Sequence, residues 1–334
     1  VQRVPPDART RPARIRKDLT VLSVDSFSTC LRLPTEELLW NLGWADVLSS
    51  DAVSYYINPR RLRGSDFLMR WAQGRWFEDI VIRSLNQTDR YGVLPFGPST
   101  VAPDDPRELE AFFERMDALS NEGKRPDLLL YTRDAFEWAV QVLTERLDRI
   151  ETLPEIPASQ IDDVIRRARA ALVVENSLWV TEKMPGFGKP FSRYTRGARK
   201  GRLKPAGIVP TIIVKEEDIP RLRQWESDYG IPLYVVHIFF DRGYVVRFRD
   251  ILAILEAGDI GFEAQRYTNP DGTAAASKNV LKVPYVLCKE FGTVSGPTLL
   301  PRTFVDRNGK VMTYVTFSGG TISLSPDVFQ EWPA

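Results

Sequence analysis

The chain is poor in the residues that build zinc sites and proton relays. Among its 334 residues there are two cysteines, Cys30 and Cys288, and one histidine, His237. Two cysteines make no disulfide framework, so a reducing cytoplasm is the expected compartment. Together with a lone histidine they cannot assemble a recurring Cys/His knuckle. A single histidine also argues against His-dependent hydrolysis and against a Ser-His-Asp triad. His237 lies in "PLYVVHIFF", where apolar neighbours lead us to expect a buried, hydrogen-bonded strand residue. No run approaches the ~20 apolar residues that a membrane span needs. The stretch "VQRVPPDARTRPARIRKDLT" has no apolar core of the signal-peptide kind. What remains for chemistry is carboxylate, lysine and a metal.

Charge of one sign is missing overall but not locally. The 45 Lys and Arg against 44 Asp and Glu leave a net +1, which says nothing about polyanions. From Lys183 to Lys215, however, the chain carries nine basic residues and no acid, and residues 1–17 carry six against Asp7. Segregated patches on a neutral protein suit a phosphate backbone, although solvated loops look the same.

With 43% hydrophobic residues the chain can bury one large core. Thr35 before "EELLWNLGW" reads as an N-cap. "GSDFLMRWAQGRWFEDIVIRSLNQ" is amphipathic, with Phe67, Trp71, Phe77, Ile80, Val81 and Leu85 at helical spacing. Residues 91–106 are rich in Pro and Gly and read as a surface loop, and "DPRELEAFFERMDALSNEG" as a helix. The period then changes. "KRPDLLLYT" is most simply a buried strand, "DAFEWAVQVLTERLDRIE" and "SQIDDVIRRARAAL" are expected helices, the second capped by Ser159, and "LVVENSLWV" is the next strand. A basic Gly-rich loop at 184–207 precedes strand "GIVPTIIVK", helix "EEDIPRLRQWESDYG", strand "IPLYVVHIFFD" and the strand-helix "RGYVVRFRDILAILEAG". In "TFVDRNGKVMTYVTFSGGTISLS" the Asn-Gly and Gly-Gly pairs predict hairpin turns. The order implies an α/β protein with a mixed central sheet flanked by helices, a helical N-terminal region and β-hairpin C-terminal additions.

Divalent ions that activate water need hard oxygen ligands close together. Adjacent strands, ~4.8 Å apart, can supply them. Asp127 starts one strand and Glu175 lies on another, and alternation projects Val173, Glu175 and Ser177 to one side. Of the Pro-Asp pairs, the one at Asp127 leads an apolar run.

"RPDLLLY" followed by "VVENSLW" resembles the PD…(D/E)xK signature of restriction-endonuclease-like nucleases. "GRWFEDIVIRSL" is similar to the helix preceding the site in that superfamily, where a glutamate sits near the metal; here it is Glu78. The resemblance covers roughly residues 65–250 and points to a type II restriction endonuclease. It implies a basic arm and helical region at 1–64, a nuclease core at 65–255 with a helical insertion at 134–171, and a β-rich extension at 256–334 for recognition or dimerisation, unless all form one unit. It further implies Mg2+ on Asp127 and Glu175, with Glu78 as an additional ligand, double-stranded DNA as substrate and a homodimer. The sequence departs from the pattern at Ser177, where the family keeps a lysine. Serine is no base at neutral pH but can hold a water, and Lys183, eight residues past Glu175, would reach back only through a bend. Phosphate contacts are expected from Lys189, Arg193, Tyr194, Arg196, Arg199, Lys200, Arg202 and Lys204. A structure-specific repair nuclease, a DNA-binding protein with dead chemistry and an unrelated α/β protein with a basic loop stay open beside this reading.

Overall fold

The computed structural model describes residues 63–97, 124–147, 150–177, 179–268, 274–305 and 311–332. The basic arm, the Thr35-capped helix, the helix expected at 105–123 and the Asn308-Gly309 turn lie outside them. The chain divides into two compact units, residues 1–70 with 297–318 and residues 71–296 with 319–334.

Helix α1 is Arg63–Asn86, and its residues from Trp71 on belong to the second unit. In the second it buries Trp76, Phe77, Ile80, Val81 and Leu85, each worth about 2 kcal/mol of apolar transfer. Strand β1, Tyr91–Pro95, follows, then β2, Leu128–Thr132, α2, Arg133–Arg146, the single turn α3, Asp162–Ile165, and β3, Ala170–Asn176. A two-residue hairpin, β4 Ser192–Arg193 and β5 Leu203–Lys204, stands in the basic loop. Next come β6, Thr211–Lys215, α4, Ile219–Tyr229, β7, Leu233–Ile238, β8, Arg242–Arg247, and α5, Phe248–Glu256. The tail holds β9, Phe262–Thr268, β10, Ala274–Pro284, β11, Lys289–Ser295, β12, Thr298–Val305, β13, Val311–Ser318, β14, Thr321–Leu324, and the short α6, Val328–Glu331.

Seven strands form the main sheet in the order β1-β2-β3-β7-β8-β11-β14. Only β3 and β7 run parallel in it, with Glu175 opposite His237; the other neighbours are antiparallel. β6, β10 and β9 make a second sheet. This is the expected mixed α/β architecture with helices on a mixed sheet. One sheet face, through Leu129, Tyr131, Val173 and Val235, packs in a core shared with α2, α4 and α5. On the other side α1 is tied down by Gln73 Nε2 donating to Asn176 Oδ1 at 2.8 Å and by Ser84 Oγ accepting from Ile322 N at 3.0 Å. Pro220 in the first turn of α4 and Gly230 in the left-handed region (φ 68°) at its end follow helix-start and helix-stop chemistry.

Three local expectations are corrected. Residues 91–95 form a buried edge strand rather than surface loop. The helix expected after Ser159 is a 3-10 turn, Ala158–Gln160, and then a single α-turn, because Ala170 already begins β3. Gly319-Gly320 turns no hairpin: β13 pairs with β12, whereas β14 pairs with β11. No helix among the described residues is long and apolar enough to cross a membrane.

Candidate active site

Asp127 stands where three strands meet. Its N–H donates to Leu172 O at 2.9 Å, and its carbonyl accepts from Phe96 N at 2.8 Å and Gly97 N at 3.0 Å. Its carboxylate Oδ2 accepts from Val174 N at 2.7 Å. A Cβ on Gly97 would lie 2.8 Å from Asp127 Cα, so glycine lets the end of β1 close over this corner. Val174 precedes Glu175, and the main-chain bond therefore fixes Asp127 next to the second acid. Glu78 reaches the same corner from α1, whose register against β3 is set by the Gln73–Asn176 bond.

The charges confirm that these groups feel one another. Burial pushes the Glu78 carboxyl up to about 8, helped by Asp127, Asp79 and Glu175 and opposed by Arg75. Burial also raises Asp127, to about 6; the Val174 N–H and Lys124 oppose the rise, while Glu175 and Asp218 add to it. Glu175 is raised by burial, pulled back by Lys124 and Lys215, and pushed up by Asp218. Lys124 donates to Asp218 Oδ2 at 2.7 Å, and this bond, with the charges of Asp218, Glu175 and Asp127, outweighs the lowering by burial. The corner thus holds four acids and two lysines.

Among the described residues no group of three or more His, Cys, Asp and Glu side chains is arranged to hold a metal ion. Asp127 and Glu175 nevertheless offer hard oxygens, and their mutual repulsion is what a divalent cation relieves. The donor chemistry fits Mg2+ with water completing its shell.

Ser177 follows β3, half-buried, with its N–H donating to Ile238 O at 3.0 Å. Lys183 is exposed in the 3-10 turn Thr181–Lys183, and the cations that lower Glu175 are Lys124 and Lys215 instead. Sequence reasoning missed Lys124, Lys215 and Asp218. Lys124 had a signal, standing in "KRPD" three residues before Asp127; Lys215 ends a strand forty residues from Glu175 and had none. His237 is buried at 1% exposure as expected, but among the described residues neither ring nitrogen has a hydrogen-bond partner, where a hydrogen-bonded histidine was expected.

The basic stretch is solvated and partly neutralised. Arg193 donates to Gly201 O at 2.6 Å and pairs with Asp259. Arg199 pairs with Glu263 at 3.4 Å, and Arg199 and Lys204 both lie over the Tyr194 ring. The Arg202 guanidinium packs on Gly261. Lys189, Arg196 and Lys200 are exposed.

Residues 58–186 match the model of the AccI restriction endonuclease family. The matched segment contains Glu78, Asp127, Glu175 and Ser177 and ends before most of the basic stretch. It supports the type II restriction endonuclease resemblance drawn from the residues themselves. No curated protein and no solved structure matches the chain.

Proposed function

We propose that this chain is a type II restriction enzyme of the restriction-endonuclease-like fold, a site-specific, Mg2+-dependent endonuclease acting on double-stranded DNA. The observation that carries the reading is the bond from Val174 N to Asp127 Oδ2, which ties the first acid of the signature to the residue preceding the second on β3. The family match over the same segment supports it.

In this reading Asp127 and Glu175, with Glu78 beside them, would hold Mg2+, which when bound would supply Lewis-acid activation of water and neutralise charge at the phosphate. Lys215 and Lys124 supply the positive charge that Ser177 does not, and they take the part that the sequence assigned to Lys183. Asp218 holds Lys124 in place. The Ser177 hydroxyl orients water on the Glu175 side of the strand. The basic stretch contacts phosphates and sets position along the duplex. A two-fold homodimer reads a palindrome most economically, and a cytoplasmic enzyme fits the cysteine usage.

Ser177 motivates the second reading, a DNA-binding protein that does not cut. Incubation with a long duplex of known sequence, with Mg2+ or with EDTA, separates them. Discrete Mg2+-dependent fragments are expected, and their ends give the recognition site. Bound but intact DNA favours the second reading, and neither binding nor cutting sinks both.

A further inference from the structure

A cleft of about 540 Å3 opens beside the acid corner, within the second unit, and nothing said so far gives it an occupant. Ser177 and His237 line it. Ser177 lies two residues beyond Glu175 on the same side of the strand, ~6.6 Å along it, and His237 is Glu175's neighbour on β7. The cleft therefore begins where the acid corner ends. Thr211 and Ile213 of β6 line it too, and the next residue of that alternation is Lys215.

Its chemistry is divided. Met184, Val209, Ile213 and Phe239 give apolar walls, and Phe239 stacks on the His237 ring at 4.7 Å. Arg199, Arg202 and Lys282 bring cations to it, with Asp259 and Glu263 as counter-charges. Two large apolar side chains of the lining remain in water, Trp179 at 52% and Ile208 at 58% exposure. The Trp179 main chain is held by Phe240 N donating to its carbonyl at 3.2 Å, so the indole is offered from a fixed backbone. His237 is the second signal. Two buried ring nitrogens without partners among the described residues are a cost that a protein seldom carries unless something else meets them. A neutral imidazole offers one donor and one acceptor.

We propose that this cleft binds one unstacked nucleotide of the strand being cut, its base inside beside Ser177 and His237 and against Trp179, its phosphate on Arg199 and Arg202. The volume suits a small molecule and not a duplex. Aromatic and apolar walls with a paired donor and acceptor are what an extruded base requires. The proposal rests on the nuclease reading, which brings the scissile phosphate to Asp127 and Glu175.

The chain's lone histidine makes the test clean, because isotope-labelled histidine gives one set of ring signals. The full chain is titrated with each of the four deoxynucleoside monophosphates and with deoxyribose 5-phosphate, while cleavage of duplex DNA is scored on the same protein. At least one nucleotide should shift the His237 signal saturably, the sugar phosphate should not, and Trp179→Ala should weaken binding about tenfold. No shift with any nucleotide, an equal shift with the sugar phosphate, or unchanged affinity in Trp179→Ala overturns the assignment. Cutting without a shift removes this cleft's role and leaves the nuclease standing. A shift without cutting supports the nucleotide site and removes the nuclease reading.

Discussion

At the acid corner, half-buried carboxylates stand against packed strands and Asp127 accepts a main-chain bond; on the basic hairpin, guanidinium and ammonium groups stand in solvent on a two-residue ladder. The corner carries a cost visible in the raised carboxyls of Glu78, Asp127 and Glu175. The hairpin avoids that cost by exposure and by borrowing Asp259 and Glu263. Buried charges are strongly coupled, whereas exposed ones are screened and nearly independent. Chemistry should therefore fail abruptly with one substitution at the corner, and DNA affinity should decline gradually along the hairpin.

The largest effect is expected from Asp127→Ala. It removes one partner of the proposed cation and the acceptor for Val174 N–H, and cleavage should fall by at least about a thousandfold, read as the single-turnover rate. Lys215→Ala should cost about a hundredfold in the same rate, with Lys215→Arg recovering part of it. A null effect at Lys215 with a loss at Lys183 would move the cation role back to the residue expected from sequence. Gly97→Ala presses a methyl group on the Asp127 backbone at 2.8 Å; a displaced acid should slow cutting by about tenfold to a hundredfold while the protein stays folded.

Between the two regions lies His237, whose shift gives a pH test. Its folded pKa, about 3, is below the ordinary 6.5, so the unfolded chain takes up the proton first. Stability present above pH ~6.5 is then lost as pH falls toward the folded value, by about 2 kcal/mol at pH ~5. Urea unfolding of His237→Gln should lose that part of the slope. The smallest effects belong to the hairpin. Arg196→Ala and Lys200→Ala should each weaken DNA binding a few-fold and reduce the salt slope by about one, measured by titration at several salt concentrations.

Much of this contrast was legible before the fold was known, and the reasons differ by element. Leu128–Thr132 announced itself as an apolar run behind a proline, and β3 as the run from Leu172, although it begins at Ala170 and ends at Asn176 rather than Val180. Their order placed Glu175 on β3, as found, whereas Asp127, expected to start its strand, stands one residue before β2. The strand Tyr91–Pro95 was hidden by its own Gly92 and Pro95. Gly92 is there because the Phe136 ring of α2 occupies the space that a Cβ would take, a contact no local pattern reveals. Lys215 and Asp218 were missed for a similar reason: they stand roughly forty residues beyond Glu175 with no local spacing to tie them to it, whereas Lys124 stands beside Asp127 in the sequence and was overlooked. The hairpin was readable as a run of cations, but its pairing depends on Asp259, in the turn after α5, and Glu263 of β9, about sixty residues away.

The account stands or falls on separating cutting from binding. The decisive measurement is the single-turnover cleavage rate at saturating duplex DNA, taken beside DNA affinity, for Asp127→Ala and for the Arg196→Ala/Lys200→Ala double variant. Asp127→Ala should bind near the native affinity and not cut, and the hairpin variant should bind more weakly yet cut at the native rate once saturated. Cutting by Asp127→Ala, or loss of the saturated rate in the hairpin variant, would contradict it.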